Sequence, residues 1–469
     1  MSFFAELQAR GLVHQHTAGE GQQAVPQLLD TPGQVVYAGF DPSAKSLHVG
    51  NLIPLLGLRR FQLAGHKAIV LAGGATGMVG DPSGKSAERN LLSETELKEN
   101  LESVKVQLER LLDLSDPEKG VLVDNLDWTK NLTYLQFLRD VGKHFSINAM
   151  LRKDSVRRRI GALSIVNLAR KAVEELIDDG ALPRDEVGED LAALERLAGR
   201  VEDETDETRI SYTEFSYMLL QAHDYLFLAR RHNCNFQIGG SDQWGNMTAG
   251  VELIRKVLSR SAHAVTFPLL TNSDGSKFGK TAQGAVFLDP AMTSPFAFRQ
   301  FWYNTADADV IQRLHYFTFL PVEQIQALEG SWLEAKQTLA YTMTRLVHGE
   351  AEADKVEQAA KVLFGKGDLR EIPPEYLADA LAGMTKVEQP RARFEGDGVN
   401  LLDLVVEVVY EGGSKRGQAR RDIEKDQAIS INGERCTDPE RMLTLTDLLH
   451  GRFLVLRKGK KNQYLVEVA

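Results

Sequence analysis

Hydrophobic and polar positions along this chain change period in a definite order. Val35-Val36-Tyr37-Ala38-Gly39-Phe40 is a continuous apolar run, the pattern of a buried strand. Leu52-Ile53-Pro54-Leu55-Leu56-Gly57-Leu58, carried on by Phe61 and Leu63, has helical spacing, and Pro54 is tolerated only in that helix's first turn. Strand-like runs recur at 68–72, 121–124 and 236–238. Their alternation with helical patterns up to about residue 270 predicts an α/β fold with a parallel sheet covered by helices. Residues 289–381 lack strand signals and read as helices. Residues 386–398, with Pro390, Gly396 and Gly398, read as a linker. Residues 401–469 form a last small unit. In it, Asn432-Gly433 marks a hairpin turn after the alternating strand Ala428-Ile429-Ser430-Ile431.

One stretch, 151–209, is too long for a plain loop. It begins basic, with Arg152, Lys153, Arg157, Arg158 and Arg159, and ends acidic. Apolar residues at helical spacing in 165–177 and 191–197 predict a helical hairpin, turning near Gly180-Ala181-Leu182-Pro183. Its acidic half is expected to point away from any bound polyanion.

A length of 469 residues predicts two or three domains. No apolar run is long enough to span a bilayer. The N-terminus shows no basic segment followed by an apolar core, so no signal peptide is expected. Cys234 and Cys436 make neither a disulfide framework nor a zinc site, and a cytoplasmic location fits. The net charge of −10 is unevenly spread. Residues 174–209 hold 14 Asp/Glu against 4 Arg, which accounts for the whole imbalance. Residues 413–461 hold 12 Lys/Arg against 7 Asp/Glu, a local excess suited to phosphate.

Two distant pieces carry candidate chemistry. His48-Val49-Gly50-Asn51 falls where the first strand hands over to a helix N-terminus, a place that attracts phosphate. Ser273-Asp274-Gly275-Ser276 leads into Lys277-Phe278-Gly279-Lys280-Thr281, a loop whose two lysines suit a polyphosphate. A third element is a helix opened by the capping-box pair Ser211 and Glu214. On it Tyr217, Gln221 and Asp224 share a face. Such a stripe is also what the wet side of an ordinary helix looks like, and His48 alone would read as a surface histidine. Gly84-Lys85-Ser86 and Gly279-Lys280-Thr281 end like P-loops, but the required earlier glycines are replaced by Val79 and Asp274. Nor does 73–80 match a dinucleotide fingerprint.

His-Val-Gly-Asn and Lys-Phe-Gly-Lys-Thr resemble the HIGH and KMSKS signatures of class I aminoacyl-tRNA synthetases. Further pieces are Gly80-Asp81-Pro82-Ser83-Gly84-Lys85, Thr213-Glu214-Phe215-Ser216-Tyr217, the segment 237–246 and Asn304-Thr305-Ala306-Asp307-Ala308-Asp309. Their order and spacing are closest to bacterial tyrosyl-tRNA synthetases. The resemblance implies a Rossmann-like catalytic domain over 1–275 with a helical insertion at about 151–209. A helical anticodon-side domain with the lysine loop would cover 276–385, and a small α+β, S4-like RNA-binding domain 400–469. The insertion is longer than the family usually carries.

The implied reaction is attack of the tyrosine carboxylate on the α-phosphate of ATP, then transfer of tyrosine to the 3′ end of tRNA(Tyr). By resemblance His48, Lys277, Lys280 and Thr281 would be catalytic. Tyr37 and Asp224 would hold the phenol. Asp81, Tyr217 and Gln221, with Thr76 nearby, would hold the ammonium, and Gln243 the carboxylate or adenylate. Gly39, Asp41, Gly50, Asn51, Asp242 and Lys280 would contact ATP, and Lys85 and Arg89 pyrophosphate or the tRNA end. Arg416, Arg420, Arg421, Lys458, Lys460 and Lys461 would contact tRNA. Two positions depart from the family. Asn51 stands at the second histidine of HIGH and cannot titrate, and Ala38 lacks a polar group that some members have. No permanently bound cofactor or resident metal is expected, with Mg2+ accompanying ATP. A homodimer is expected, without membrane attachment. The alternatives are a tryptophanyl enzyme of the same subclass, a tRNA-independent nucleotidylyltransferase, and a non-catalytic RNA-binding protein. The second leaves the basic C-terminal unit unexplained, and His48, Lys277 and Lys280 speak against the third.

Overall fold

The computed structural model describes all residues except 20–22, 81–92, 152, 154–172, 174–175, 178–211, 274, 276–277, 282–283, 365–367, 375, 378–380, 382–383 and 460–461. Most of the expected helical hairpin therefore lies outside the described residues. So do Ser211, Asp81, Lys85, Arg89, Lys277, Lys460, Lys461 and the side chains of Glu214, Lys280 and Thr281. The chain divides into two compact units, 1–289 with 306–335 and 290–305 with 336–469.

The first unit is built on six strands: β1 (Gln15–His16), β2 (Val35–Phe40), β3 (Lys67–Ala72), β4 (Gly120–Asp124), β5 (Phe236–Gly240) and β6 (His263–Phe267). Their order is β1-β6-β5-β2-β3-β4. β2 to β6 run parallel, with Val36 opposite both Ala68 and Phe236. Covered on both faces, such strands read as near-continuous apolar runs, which is why they are visible in the sequence. β1 is an antiparallel edge strand pairing Gln15 with Thr266. At two residues it is too short to show any period.

Helices α1 (Phe3–Ala9), α2 (Leu52–Leu63), α3 (Glu94–Leu111), α4 (Tyr212–Arg231), α5 (Trp244–Leu258) and α6 (Asp307–Phe317) belong to this unit. Pro54 is the third residue of α2, inside its first turn. Gly57 lets α2 lie close to β6, because a Cβ there would fall 2.4 Å from the Phe267 ring. The C-terminal end of α6 is held by two arginines. Arg10 donates to the Leu320 carbonyl at 2.7 Å, and Arg60, on α2, donates to the Thr318 carbonyl. Burial and neighbouring Arg10 pull Arg60 down to about 9, so it stays charged at neutral pH. Cations at a helix C-terminus satisfy its orphan carbonyls and complement its dipole.

The sheet order reverses between β2 and β5. In open α/β sheets that reversal leaves a crevice beyond the carboxyl ends of the strands.

In the second unit, helices α7 (Leu401–Tyr410) and α8 (Arg416–Glu424) accompany a five-stranded sheet. Its strands are β7 (Thr385–Gln389), β8 (Ile429–Ile431), β9 (Glu434–Arg435), β10 (Phe453–Lys458) and β11 (Asn462–Val468), in the order β9-β8-β10-β11-β7. The Asn432-Gly433 hairpin joins β8 to β9 as expected. Residues 386–389, read as linker, instead form most of β7, which runs parallel to β11 with Thr385 opposite Tyr464. Lys386 and Glu388 give this edge strand a polar face opposite Val387, which packs on the core, and charge on an edge discourages pairing with other chains. The same charge hides the strand from a hydrophobic reading. Buried Leu402, Val405, Ile423, Leu454 and Val466 share the core of this α+β part.

Several histidines are buried or half-buried in the first unit. Burial, then nearby Arg230, lowers His223 to about 4, and burial also lowers His66, His263 and His315. A folded pKa below the unfolded value means stability is complete above about pH 6.5 and lost as pH falls through the folded value. For His223 the loss at pH 4 is on the order of 3 kcal/mol. The His223→Gln variant is expected to lose less stability than the parent between pH 7 and pH 4, measured by urea unfolding. Parallel curves for the two proteins would contradict this.

Candidate active site

The carboxyl ends of β2 and β5 open into a cavity of about 370 Å³. Tyr37, Gly39, Asp41, His48, Gly50, Asn51, Thr76, Tyr217, Gln221, Asp224, Asp242 and Gln243 all line it. The crevice thus gathers twelve of the expected pocket residues from β2 and its following turn, the turn after β3, α4 and the end of β5.

The His48 turn is locally determined. His48 caps a short turn, Val49–Asn51, that runs into α2. Its Nδ1 accepts from the Gly50 N–H at 3.0 Å, and its own N–H donates to Asn51 Oδ1 at 3.0 Å. With Nδ1 accepting, the neutral ring carries its proton on Nε2 as a donor. Any larger residue at position 50 would collide with the imidazole, since a Cβ there falls 2.8 Å from His48 Cε1. Asn51 therefore serves as a cap as well as a cavity wall.

The lysine loop meets this turn through backbone. Val49 N–H donates to the Val286 carbonyl at 2.9 Å and Leu288 N–H to the Leu47 carbonyl at 2.8 Å, with His48 opposite Phe287. Gly279, at φ +82°, lies against Val49; a Cβ there would come within 2.9 Å of Val49 Cγ2. The backbone of Lys280 and Thr281 pairs with Ala285 and Gly284 in a small hairpin. The two motifs, more than two hundred residues apart in sequence, are neighbours.

Deeper in the cavity, α4 presents Tyr217, Gln221 and Asp224 on one face, as their spacing requires. Asp41 accepts from Thr76 Oγ1 at 2.8 Å and from the Tyr217 hydroxyl at 3.0 Å. The sequence reading put Asp41 with ATP and Tyr217 and Thr76 with the amino group. The fold joins all three around one carboxylate. Asp224 is buried and accepts from Asn125 Nδ2 and Trp128 Nε1, both at 2.9 Å. Asn125 also donates to Thr76 Oγ1 at 3.0 Å, linking the two carboxylates. Burial pushes Asp224 up to about 7, against the pull of its two donors and with help from Asp41 and Asp124. Tyr37 is fully buried, and its hydroxyl has no hydrogen-bond partner among the described residues. Burial, then Asp224, raises that phenol well above its ordinary value, so it remains a donor. Gln221 accepts from Asn246 Nδ2 at 3.0 Å, and the same amide reaches Gln243 at 3.4 Å.

Asn125 and Trp128 escaped the sequence reading. Asn125 directly follows β4, and position beyond a parallel strand's carboxyl end was the one available signal. Asn246, the third residue of α5, closes the segment 237–246 quoted above but was given no role there.

Among the expected RNA-contacting residues of the second unit, the fold separates two kinds. Lys458 pairs with buried Asp422 at 2.7 Å and lies over the Tyr410 ring at 4.3 Å, so it is bound into the core. Arg416 pairs with Asp403, and Arg420 with Glu424 and Glu440. Arg421 is exposed, with no acidic partner among the described residues.

A family model for class I tRNA synthetases (W and Y) matches residues 31–170 and 189–365, and one for a tyrosine–tRNA ligase C-terminal domain matches 381–466. A tyrosine–tRNA ligase of Opitutus terrae is 43% identical over the full length of both chains. That of Roseiflexus castenholzii is 42% identical over 99% of this chain and 98% of its own. Among solved structures, a C-terminally truncated mitochondrial tyrosyl-tRNA synthetase of Aspergillus nidulans is 28% identical, with a TM-score of 0.58 over 77% of this chain and 94% of that one. Full-length identity, both family models and the crevice geometry agree: the chain belongs to the tyrosine–tRNA ligases, class I aminoacyl-tRNA synthetases.

Proposed function

We propose that the crevice between β2 and β5 is where this tyrosine–tRNA ligase joins tyrosine to ATP, with the roles divided as follows. The phenol of the substrate lies between Tyr37 and Asp224, and its ammonium faces Asp41, Tyr217 and Gln221, with Asp81 and Thr76 beside them. Gln243 meets the carboxylate. The nucleotide lies over Gly39, Gly50, Asn51 and Asp242, and its triphosphate between His48 Nε2–H and the loop of Lys277, Lys280 and Thr281. Mg2+ arrives on the triphosphate as part of that substrate. No covalent nucleophile is needed. Alignment of two anions and donors aimed at the charge developing on the α-phosphate supply the rate.

The observation that carries this reading is the buried, unpartnered Tyr37 hydroxyl in a cavity shared with Asp224. A buried polar group without a partner is costly, and the phenolic oxygen of tyrosine is the group that relieves it. Phenylalanine leaves the site unpaired. Tyrosine over phenylalanine is itself the standard illustration of such discrimination. ATP–pyrophosphate exchange should therefore proceed with tyrosine and hardly with phenylalanine or tryptophan. Equal exchange with phenylalanine would remove the assignment of the phenol site.

Transfer to tRNA(Tyr) engages the basic stretch 413–461 of the second unit, with Arg421 and its exposed neighbours Arg416 and Arg420 on α8 as phosphate contacts. Lys458 contributes by holding that unit together. A homodimer in the cytoplasm completes the reading. It is supported by exposed Tyr134, Leu135, Ile147 and Tyr212 on the first unit, apolar surface that a second copy would cover. No helix among the described residues is long and apolar enough to cross a membrane.

Three outcomes follow. The phenol donates more strongly to Asp224 when that carboxyl is ionised. Since Asp224 lies at about 7, the dissociation constant for tyrosine should rise as pH falls below that value, by equilibrium dialysis. Asp224→Asn should bind weakly with a flat profile. His48→Ala should slow single-turnover adenylate formation by about 10²–10³-fold while tyrosine affinity holds; weakened affinity at unchanged rate would refute its role. Removing residues 385–469, rather than cutting after Gly398 and leaving β7 without its partner, should spare exchange but impair charging in a salt-dependent way.

A further inference from the structure

Helix α6 carries a group of side chains that the crevice itself does not use. Arg313 is 1% exposed, an unusual burial for a guanidinium. Its Nη2 donates to the Thr271 carbonyl at 2.8 Å, and its guanidinium lies over the Phe278 ring at 4.7 Å. Phe278 also stacks against Phe317, with ring centroids 5.4 Å apart and planes at 23°. One turn before Arg313, Asp309 accepts the Ser273 N–H at 3.0 Å. Both ends of the segment 271–278 are thus fastened to one helix. The far end of α6 is held by Arg60, which stands on the helix that begins at the His48 turn. Gly279 then leans on Val49. His48, α2, Arg60, α6, Phe278 and Gly279 form a closed ring of contacts.

Burying an arginine is expensive, and Nη1 of Arg313 has no partner among the described residues. A hydrophobic side chain would hold the fold at lower cost. What a planar guanidinium adds is a stacked face and directed donors in one rigid group, which fix both the ring of Phe278 and the backbone at Thr271. Phe278 stands directly after Lys277 and two residues before Lys280.

We propose that Arg313, aided by Asp309 and Phe317, is a positioning residue for adenylate formation, holding the root of the lysine loop so that Lys277 and Lys280 meet the triphosphate beside His48. The inference rests on the proposed role of those lysines. A displacement of about 1 Å in a catalytic group is enough to cost roughly a hundredfold in rate.

The test is a mutant cycle on the full-length enzyme, reading the single-turnover rate of adenylate formation at saturating tyrosine, with tyrosine affinity and thermal unfolding measured alongside. Arg313→Met is expected to slow the rate roughly 10- to 100-fold with tyrosine affinity unchanged. In a background of Lys277→Ala with Lys280→Ala, the same change should cost less than about twofold, because residues acting as a unit are not additive. Arg313→Lys, which keeps the charge but loses the stacked plane, should resemble Arg313→Met. Equal losses in both backgrounds, or full rescue by lysine, would overturn the proposal. If the double lysine variant itself reacts at the parental rate, the role of the loop falls first, and this inference with it. Should Arg313→Met fail to fold, Phe278→Leu removes the stacked ring and runs the same cycle.

Discussion

The site depends on two backbone hydrogen bonds, Val49 to Val286 and Leu288 to Leu47. They tie the start of α2 to a segment more than two hundred residues further along the chain, and the His48 turn is held beside Gly279 by them. A side-chain contact in that place would move with rotamers. A backbone pairing fixes register, because a slip by one residue turns every side chain to the opposite face. His48 therefore cannot shift relative to the segment after the lysine loop without breaking both bonds. The glycines serve the same end. Position 50 admits no Cβ beneath the imidazole, and position 279 uses a left-handed backbone to pass over Val49.

Beneath this rigid roof the floor is electrostatically uncomfortable by construction. Burial disfavours the charge of Asp224, and Asp41 and Asp124 lie near enough to add to the penalty. With its folded value above its unfolded one, Asp224 contributes stability at low pH that is lost as pH rises through about 7. The adjacent His223 has the opposite slope. The cost of ionising Asp224 in the folded cavity is thus fully present above about pH 7. Trp128 and Asn125 keep the cost tolerable. Their donors fix both carboxylate oxygens of Asp224, so the remaining lone pairs point in a set direction. Stacking of Trp128 on Phe227, with centroids 4.2 Å apart, holds that donor in turn.

What the sequence made legible follows from which signals are periodic. β2, β3 and β4 are apolar on both faces, and α4 repeats its polar groups at helical spacing, so strands, helix and the Tyr217–Gln221–Asp224 face were readable without coordinates. The two phosphate motifs were readable because glycine, histidine and lysine at fixed offsets have few other uses. Asn125 and Trp128 stand in a connection after β4, where no period exists and an asparagine looks like any turn residue. β1 is two residues long, and β7 is an edge strand coloured by Lys386 and Glu388. Both depend on partners remote in sequence. The basic tail was readable as a charge excess but not as individual contacts, since the pairing of Lys458 with Asp422 joins β10 to α8 across more than thirty residues.

That last pairing changes how the basic tail should be counted. A lysine locked between a buried carboxylate and an aromatic ring has little freedom to follow a phosphate, and releasing it would leave Asp422 buried and unpaired. Arg416 and Arg420 are also paired, but at the surface, where such pairs are worth on the order of 1 kcal/mol or less. A phosphate can displace those acids at small cost, and it meets no competitor at Arg421 among the described residues. The arginines of α8 are thus graded by how readily they change partners, while Lys458 is excluded by its pairing with buried Asp422. A charge count alone weights all of them equally. The fold presents Arg416, Arg420 and Arg421 at the surface of α8 and uses Lys458 to keep that helix seated on its sheet.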